Sequence, residues 1–203
     1  MSKENLTEIV CIIDKSGSMD SVRKDAIGGF NSFIDSQKKV PGDAVLSLIL
    51  FDTAYEVCYE GKNIQEVLDL NDASYVPCGC TALLDAVGKT INSTGTRLSN
   101  MPEQDRPSKV IFVILTDGEE NSSREFTKAR INNMITHQKD IYKWEFIYLA
   151  ANQDAIQEAY KIGIAASQSF TYAGTAQGTR HVYDVISGTV SNYRSTGDAS
   201  IKK

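Results

Sequence analysis

Residues 9–13 (Ile9-Val10-Cys11-Ile12-Ile13) are apolar without a break, and 44–51, 109–116 and 144–150 are nearly so. Runs of this length, rich in β-branched side chains, predict strands covered on both faces, the kind found inside parallel sheets. Residues 55–60 alternate instead, and only Asp52-Thr53-Ala54 separates them from 44–51, so the two form an antiparallel hairpin with the alternating strand at the sheet edge. Residues 167–172 supply a last strand. Between the strands, apolar residues recur at helical spacing. Val22, Ala26, Ile27, Phe30, Phe33 and Ile34 predict a helix over 21–38, and Ile64, Val67 and Leu68 a short one over 63–70. Leu84, Val87 and Ile91 mark a helix running from Thr81 to about residue 93. Ser122 and Glu125 have capping-box spacing ahead of a helix over 124–138 that carries Phe126, Ala129 and Met134. A helix over 153–162 is closed by Gly163, and Val182, Val185, Ile186 and Tyr193 give the final one. The polar, proline-containing stretch 95–108 reads as a surface loop.

Strand and helix thus alternate along the chain. That order predicts an α/β fold, a doubly wound, Rossmann-like, mostly parallel six-stranded sheet with one antiparallel edge strand and helices on both faces. No repeat, low-complexity tract or internal boundary interrupts it, so residues 1–194 are expected to form a single domain, followed by a flexible tail over 195–203.

Composition narrows the function classes. The chain has 203 residues, 41% hydrophobic and 23% charged, with a formal net charge of −5. Lys and Arg are scattered instead of forming a stripe, which argues against a nucleic-acid partner. The polar start, Met1 to Glu8, leads straight into the first strand, and no apolar run approaches a membrane span, so a cytoplasmic protein is expected. Cys11 and Cys58 fall in strands as small hydrophobes. Cys78 and Cys80 flank Gly79 in a loop, with no second cysteine or histidine cluster to make a soft-metal site.

The chemistry gathers at strand ends. Asp14 closes the first strand, and Ser16 and Ser18 follow on alternate positions, with Gly17 between them to let the backbone bend. Thr81 heads a helix, and Asp117 closes another buried-type strand. Ligands of open α/β sheets bind just beyond the carboxyl ends of the strands, where all five residues are expected. They are hard oxygen donors. One or two carboxylates with neutral hydroxyls suit Mg2+ or Mn2+ better than zinc, which prefers nitrogen and sulfur. Each residue also has a structural reading. Asp14 or Ser18 could cap the following helix, Thr81 could be an N-cap, and Asp117 could open a turn with Gly118. Glu119 and Glu120 read as a solvated acidic face, and Asp85 as a charge favourable to a helix N-terminus.

A strand-terminal Asp14-x-Ser16-x-Ser18, a loop Thr81 and a strand-terminal Asp117-Gly118 together resemble the metal-ion-dependent adhesion site (MIDAS) of von Willebrand factor A (vWA) domains. All five positions are filled without substitution, and the element order matches that fold over essentially the whole chain. Residues 27–33, 77–86 and 151–154 resemble stretches of the small intracellular bacterial and phage vWA proteins. The resemblance implies that the two serines bind a cation directly and that Thr81 and the aspartates bind it directly or through water. A carboxylate from a partner protein then takes the remaining position. The implied function is a metal-dependent protein-binding module using Mg2+ or Mn2+, with no enzymatic activity and neither nucleic acid nor membrane as partner.

Two other readings compete. A metal-dependent phosphatase or hydrolase would use Asp14 as haloacid-dehalogenase-like enzymes use their nucleophile, but that class places a second Asp where Ser16 stands. There is no Gly-x-Ser-x-Gly elbow or phosphate-binding glycine loop, and His137 and His181 fall in helices. A structural subunit of a phage or bacterial assembly would use the metal as a fixed brace.

Overall fold

The computed structural model describes residues 3–151 and 154–202. The apolar runs form β1 (Lys3–Asp14), β2 (Asp43–Phe51), β4 (Pro107–Thr116) and β5 (Glu145–Ala151), with β3 (Tyr55–Asn63) and β6 (Ser169–Tyr172) at the two edges of one sheet. The order is β3-β2-β1-β4-β5-β6, and every pairing is parallel except β2 with β3. Five helices flank it: α1 (Arg23–Lys38), α2 (Leu83–Asn100), α3 (Lys128–Tyr142), α4 (Ala155–Lys161) and α5 (Ala176–Thr196). Because side chains alternate along a strand, β1 feeds two cores. Ile9, Cys11 and Ile13 pack with α1 and α5; Val10 and Ile12 pack with α2, α3 and α4. Both layers are needed to cover so apolar a strand, as its sequence requires.

From β1 the chain winds outward to β2 on one side, and from β4 outward to β5 on the other. The loops leaving β1 and β4 therefore diverge and open a crevice at the point where the order reverses. Asp14 and Asp117 stand at its two banks.

Several boundaries differ from the sequence expectation, two of them because a distant side chain takes the backbone groups. The short helix expected over 63–70 is only a 3-10 turn, Ile64–Glu66. Beyond it, the Asn31 side chain takes both the N–H and the C=O of Leu70 (2.8 and 2.9 Å), and Lys38 Nζ takes the C=O of Val67 (3.0 Å). α3 begins at Lys128 with Thr127 as its cap, not at 124, because the N–H groups of Arg124, Glu125 and Phe126 all donate to the Asp85 carboxylate. α2 runs through Gly95 to Asn100, shortening the loop expected over 95–108. Of the helix expected over 153–162, Gln153 lies outside the described residues, as does Asn152 of the stretch 151–154. The segment expected as a tail over 195–203 begins inside α5, and past that helix Ala199 and Ile201 are buried, with the Ile201 N–H donating to Ser167 C=O at 2.8 Å.

Candidate metal centre

Asp14 ends β1 with no solvent exposure. Its Oδ1 accepts the Ser16 N–H at 2.7 Å and its Oδ2 accepts the Thr116 hydroxyl at 2.6 Å. The Ser16 and Ser18 hydroxyls lie 3.2 Å apart, and Ser18 Oγ donates to Asp117 Oδ1 at 2.7 Å. Thr81 arrives across Gly118: a Cβ built on that glycine would lie 3.2 Å from Thr81 Oγ1 and 3.8 Å from Ser18 Oγ. The five residues expected from three separate loops thus meet in one place. The capping alternatives for the hydroxyls fail. Ser16 occupies the N-cap of the 3-10 turn Gly17–Val22 without a side-chain cap bond, and the caps of α1 and α2 are Val22 and Ala82, also without one.

The surrounding loops are sewn together by backbone bonds. Gly17 N–H donates to Gly79 C=O (3.2 Å), Cys78 N–H to Lys15 C=O (2.9 Å) and Ala82 N–H to Asp52 C=O (3.0 Å). Gly79 has φ +67° and a Cβ there would sit 2.8 Å from Thr53 Oγ1, so both conformation and space call for glycine. Two buried phenols brace the strand ends from below. Tyr75 Oη donates to Asp14 C=O at 2.6 Å and Tyr172 Oη to Thr116 C=O at 3.1 Å. Thr81 is clamped by Asn121, whose Oδ1 accepts its N–H (3.0 Å) and whose N–H donates to its C=O (3.1 Å).

Sequence reasoning missed most of this support. Asp85, taken only as a favourable helix-terminal charge, also holds the loop after β4 through three N–H groups. Glu120, expected on a solvated face, accepts from the N–H groups of Ser122 and Ser123 (2.9 and 2.7 Å) and from Leu84 N–H at the head of α2 (2.8 Å). Glu119 is exposed. Thr116 had a signal, a hydroxyl directly before the strand-terminal Asp117; the rest act across tens of residues.

Electrostatically the site is short of positive charge. Burial pushes the Asp14 carboxyl up to about 6, against hydrogen bonds from Ser16 and Thr116 that pull it down. Burial also raises Asp117. Lys15, the neighbour of Asp14, turns instead to Asp52 (3.4 Å) and Glu56 (3.1 Å). Two carboxylates and three hydroxyls are a donor set for a hard cation, and their uncompensated charge calls for one. Among the described residues no group of three or more His, Cys, Asp or Glu could hold a metal. Cys78 and Cys80 are exposed, and Cys78 Sγ donates to Asp52 Oδ2 at 3.0 Å. His181 stacks edge-on against Phe170 and His137 against Tyr142, each at 5.8 Å.

No protein-family model matches the chain, and no curated protein does. Solved structures do. Proximal thread matrix protein 1 from the mussel byssus, with a zinc-occupied MIDAS motif, aligns with a TM-score of 0.63 at 13% identity over 93% of this chain and 46% of its own. A von Willebrand factor type A protein from Catenulispora acidiphila gives 0.61 at 18% identity, covering 93% and 43%. Manganese-loaded TRAP protein of Plasmodium vivax gives 0.58 at 14%, covering 84% and 69%. The chain spans a little under half the length of the first two. The sheet order, the antiparallel edge and these superpositions agree that the chain has the vWA fold.

Proposed function

We propose that this protein is a metal-dependent protein-binding module. Asp14, Ser16, Ser18, Thr81 and Asp117 hold a divalent cation, Mg2+ or Mn2+, at the carboxyl edge of the sheet, and an Asp or Glu carboxylate of a partner protein completes its coordination. One observation carries the reading: Asp14 is a fully buried carboxylate whose partners are a hydroxyl and an N–H, with a second carboxylate, Asp117, linked to it through Ser16 and Ser18. Such a pair is unfavourable until a cation joins it. When bound, the cation supplies a Lewis-acidic position for an anionic oxygen. The chain's own residues set its strength. Neutral hydroxyls from Ser16, Ser18 and Thr81 keep the ligand charge low, so a dication stays attractive to one more carboxylate. The Thr116 hydroxyl and the Ser16 N–H fix both oxygens of Asp14.

The zinc and manganese carried by two structural neighbours support a divalent cation in general. They also qualify the donor argument, since zinc occupies a MIDAS in one of them. Binding is favoured over turnover because both histidines pack against aromatic rings, Tyr142 and Phe170, and the Cys78 thiol is committed to Asp52. Four free cysteines suit a cytoplasmic setting.

The test is a thermal melt. At a hundredfold excess over Kd, Mg2+ should add about 2.7 kcal/mol, roughly 5–10 °C in Tm for a domain of this size. Asp14→Ala and Asp117→Ala should each abolish the gain. A wild-type melt unchanged by millimolar Mg2+ or Mn2+ ends the proposal, and a partner that stays bound in EDTA ends its carboxylate half.

A further inference from the structure

A second recess lies at the other end of the sheet, between the C-terminal halves of α2 and α3 and against the start of β4. It is a cavity of about 460 Å3, walled by Asn92 and Gly95 of α2, His137 and Gln138 of α3, Arg106 and Trp144. That volume falls within the range of small-molecule sites. We propose that this cavity binds a flat aromatic anion, independently of the metal centre.

Three observations carry it. The first is aromatic surface. Trp144 stacks on Phe112 at 5.3 Å and 19° on one side, and Tyr142, also lining the cavity, tilts towards it at 6.3 Å while 60% exposed. A large aromatic left this open beside a recess offers a ring face to a planar ligand.

Charge is the second. The chain carries 26 Asp and Glu, yet none lines this cavity; its charged side chain is Arg106. The small cavity of about 120 Å3 that holds Glu119 and Glu120 is acidic on balance, with Glu158 and its ion-pair partner Lys128 also in its wall. Arg106 is fixed in place, its Nε and Nη2 donating to the C=O of Met101 (2.9 Å) and Ser99 (3.0 Å).

The third is Gly95. Glycine inside a helix costs about 0.5–1 kcal/mol relative to alanine. In the same helix Gly88 is enforced by packing, since a Cβ there would meet the Phe126 ring at 2.3 Å; at Gly95 the nearest atom would be Trp144 Cη2, at 3.9 Å. Packing therefore does not enforce this glycine, and the missing side chain leaves room in the recess beside the edge of the buried Trp144 ring. The unpartnered Oε1 of Gln138, another lining residue, adds an unused acceptor.

Trp144 is the only tryptophan, so its indole N–H gives a single cross-peak in a 1H–15N spectrum and reports on this cavity alone. The probes are indole-3-carboxylate and guanosine monophosphate, with indole-3-carboxamide and guanosine as uncharged counterparts. A saturable shift is expected with an anionic probe, at least tenfold weaker with its neutral counterpart and unchanged by EDTA; the anion that saturates at lower concentration identifies an aromatic acid or a nucleotide as the source. Gly95→Leu, which fills the recess with a better helix former, should abolish the shift, and Arg106→Gln should erase the preference for the anion. No saturable shift with either anion, equal binding of charged and neutral probes, or a Gly95→Leu response like that of the wild type would each overturn the proposal.

Discussion

Two carboxylates on β1 are equally hidden from water, and the chain treats them in opposite ways. Glu8, near the amino end, meets the Arg97 guanidinium of α2 and the Ser47 hydroxyl at 2.9 Å. Asp14, six residues on, has hydroxyl and N–H partners but no guanidinium or ammonium group. A buried charge is tolerated only when paired. Glu8 finds its countercharge within the chain and so belongs to the fold. Asp14 does not, which leaves the pairing to something that arrives from solution. The difference marks the carboxyl edge of the sheet as the metal-binding end, and Glu8 as part of the fold, without appeal to any motif.

The comparison breaks most visibly at Arg97. Arg97→Met strands Glu8 in the interior and should lower stability by about 3–5 kcal/mol. Chemical denaturation should show that loss, with the Mg2+ midpoint unmoved. If Arg97→Met instead weakens metal binding, the two ends are coupled and the division fails.

Next in size is a pH effect confined to the binding end. A carboxyl whose folded pKa is raised holds its proton more tightly when folded, so stability falls as pH rises, from its ordinary 3.8 to about 6 for Asp14. Without metal, the wild type should lose about 3 kcal/mol across that window relative to Asp14→Asn. Asp117, raised in the same direction, adds to the slope in both proteins. Saturating Mg2+ should flatten or invert the slope, because the cation binds the ionised form. Denaturant midpoints at pH 4, 5, 6 and 7 read this directly; a wild-type minus Asp14→Asn difference that does not vary with pH would show that Asp14 is not held as the structure implies.

The binding end was legible because its donors sit where local pattern is strongest. A run such as Ile9 to Ile13 announces a buried strand, and the polar residue ending it stands out by position alone. The strands of the sheet read for the same reason. What resisted reading is held by bonds between residues far apart in the chain. Glu8 and Arg97 are 89 residues apart, and nothing around either marks the other. Ser122 and Glu125 have capping-box spacing, but Asp85, about 40 residues earlier, takes the N–H groups that a helix start would use. The Asn31 side chain does the same to Leu70. The start of 95–108 read as loop because the stretch is polar and holds two prolines, yet α2 carries its polar residues as far as Asn100.

Tyr75 tests where the border between the two ends runs. Its phenol is buried and touches no proposed ligand atom; it donates to the backbone C=O of Asp14. Losing that bond in Tyr75→Phe should cost about 1 kcal/mol of apo stability, the usual net value of one hydrogen bond. If the phenol positions the carboxylate, the Mg2+ midpoint should also rise, by up to about tenfold, since 1.4 kcal/mol of misplacement corresponds to that factor. Isothermal titration with Mg2+ or Mn2+ separates the two effects. A midpoint equal to that of the wild type, with stability still reduced, would assign Tyr75 to the same class as the Glu8–Arg97 pair. The binding end would then shrink to the side chains of three loops, resting on a sheet indifferent to what they hold.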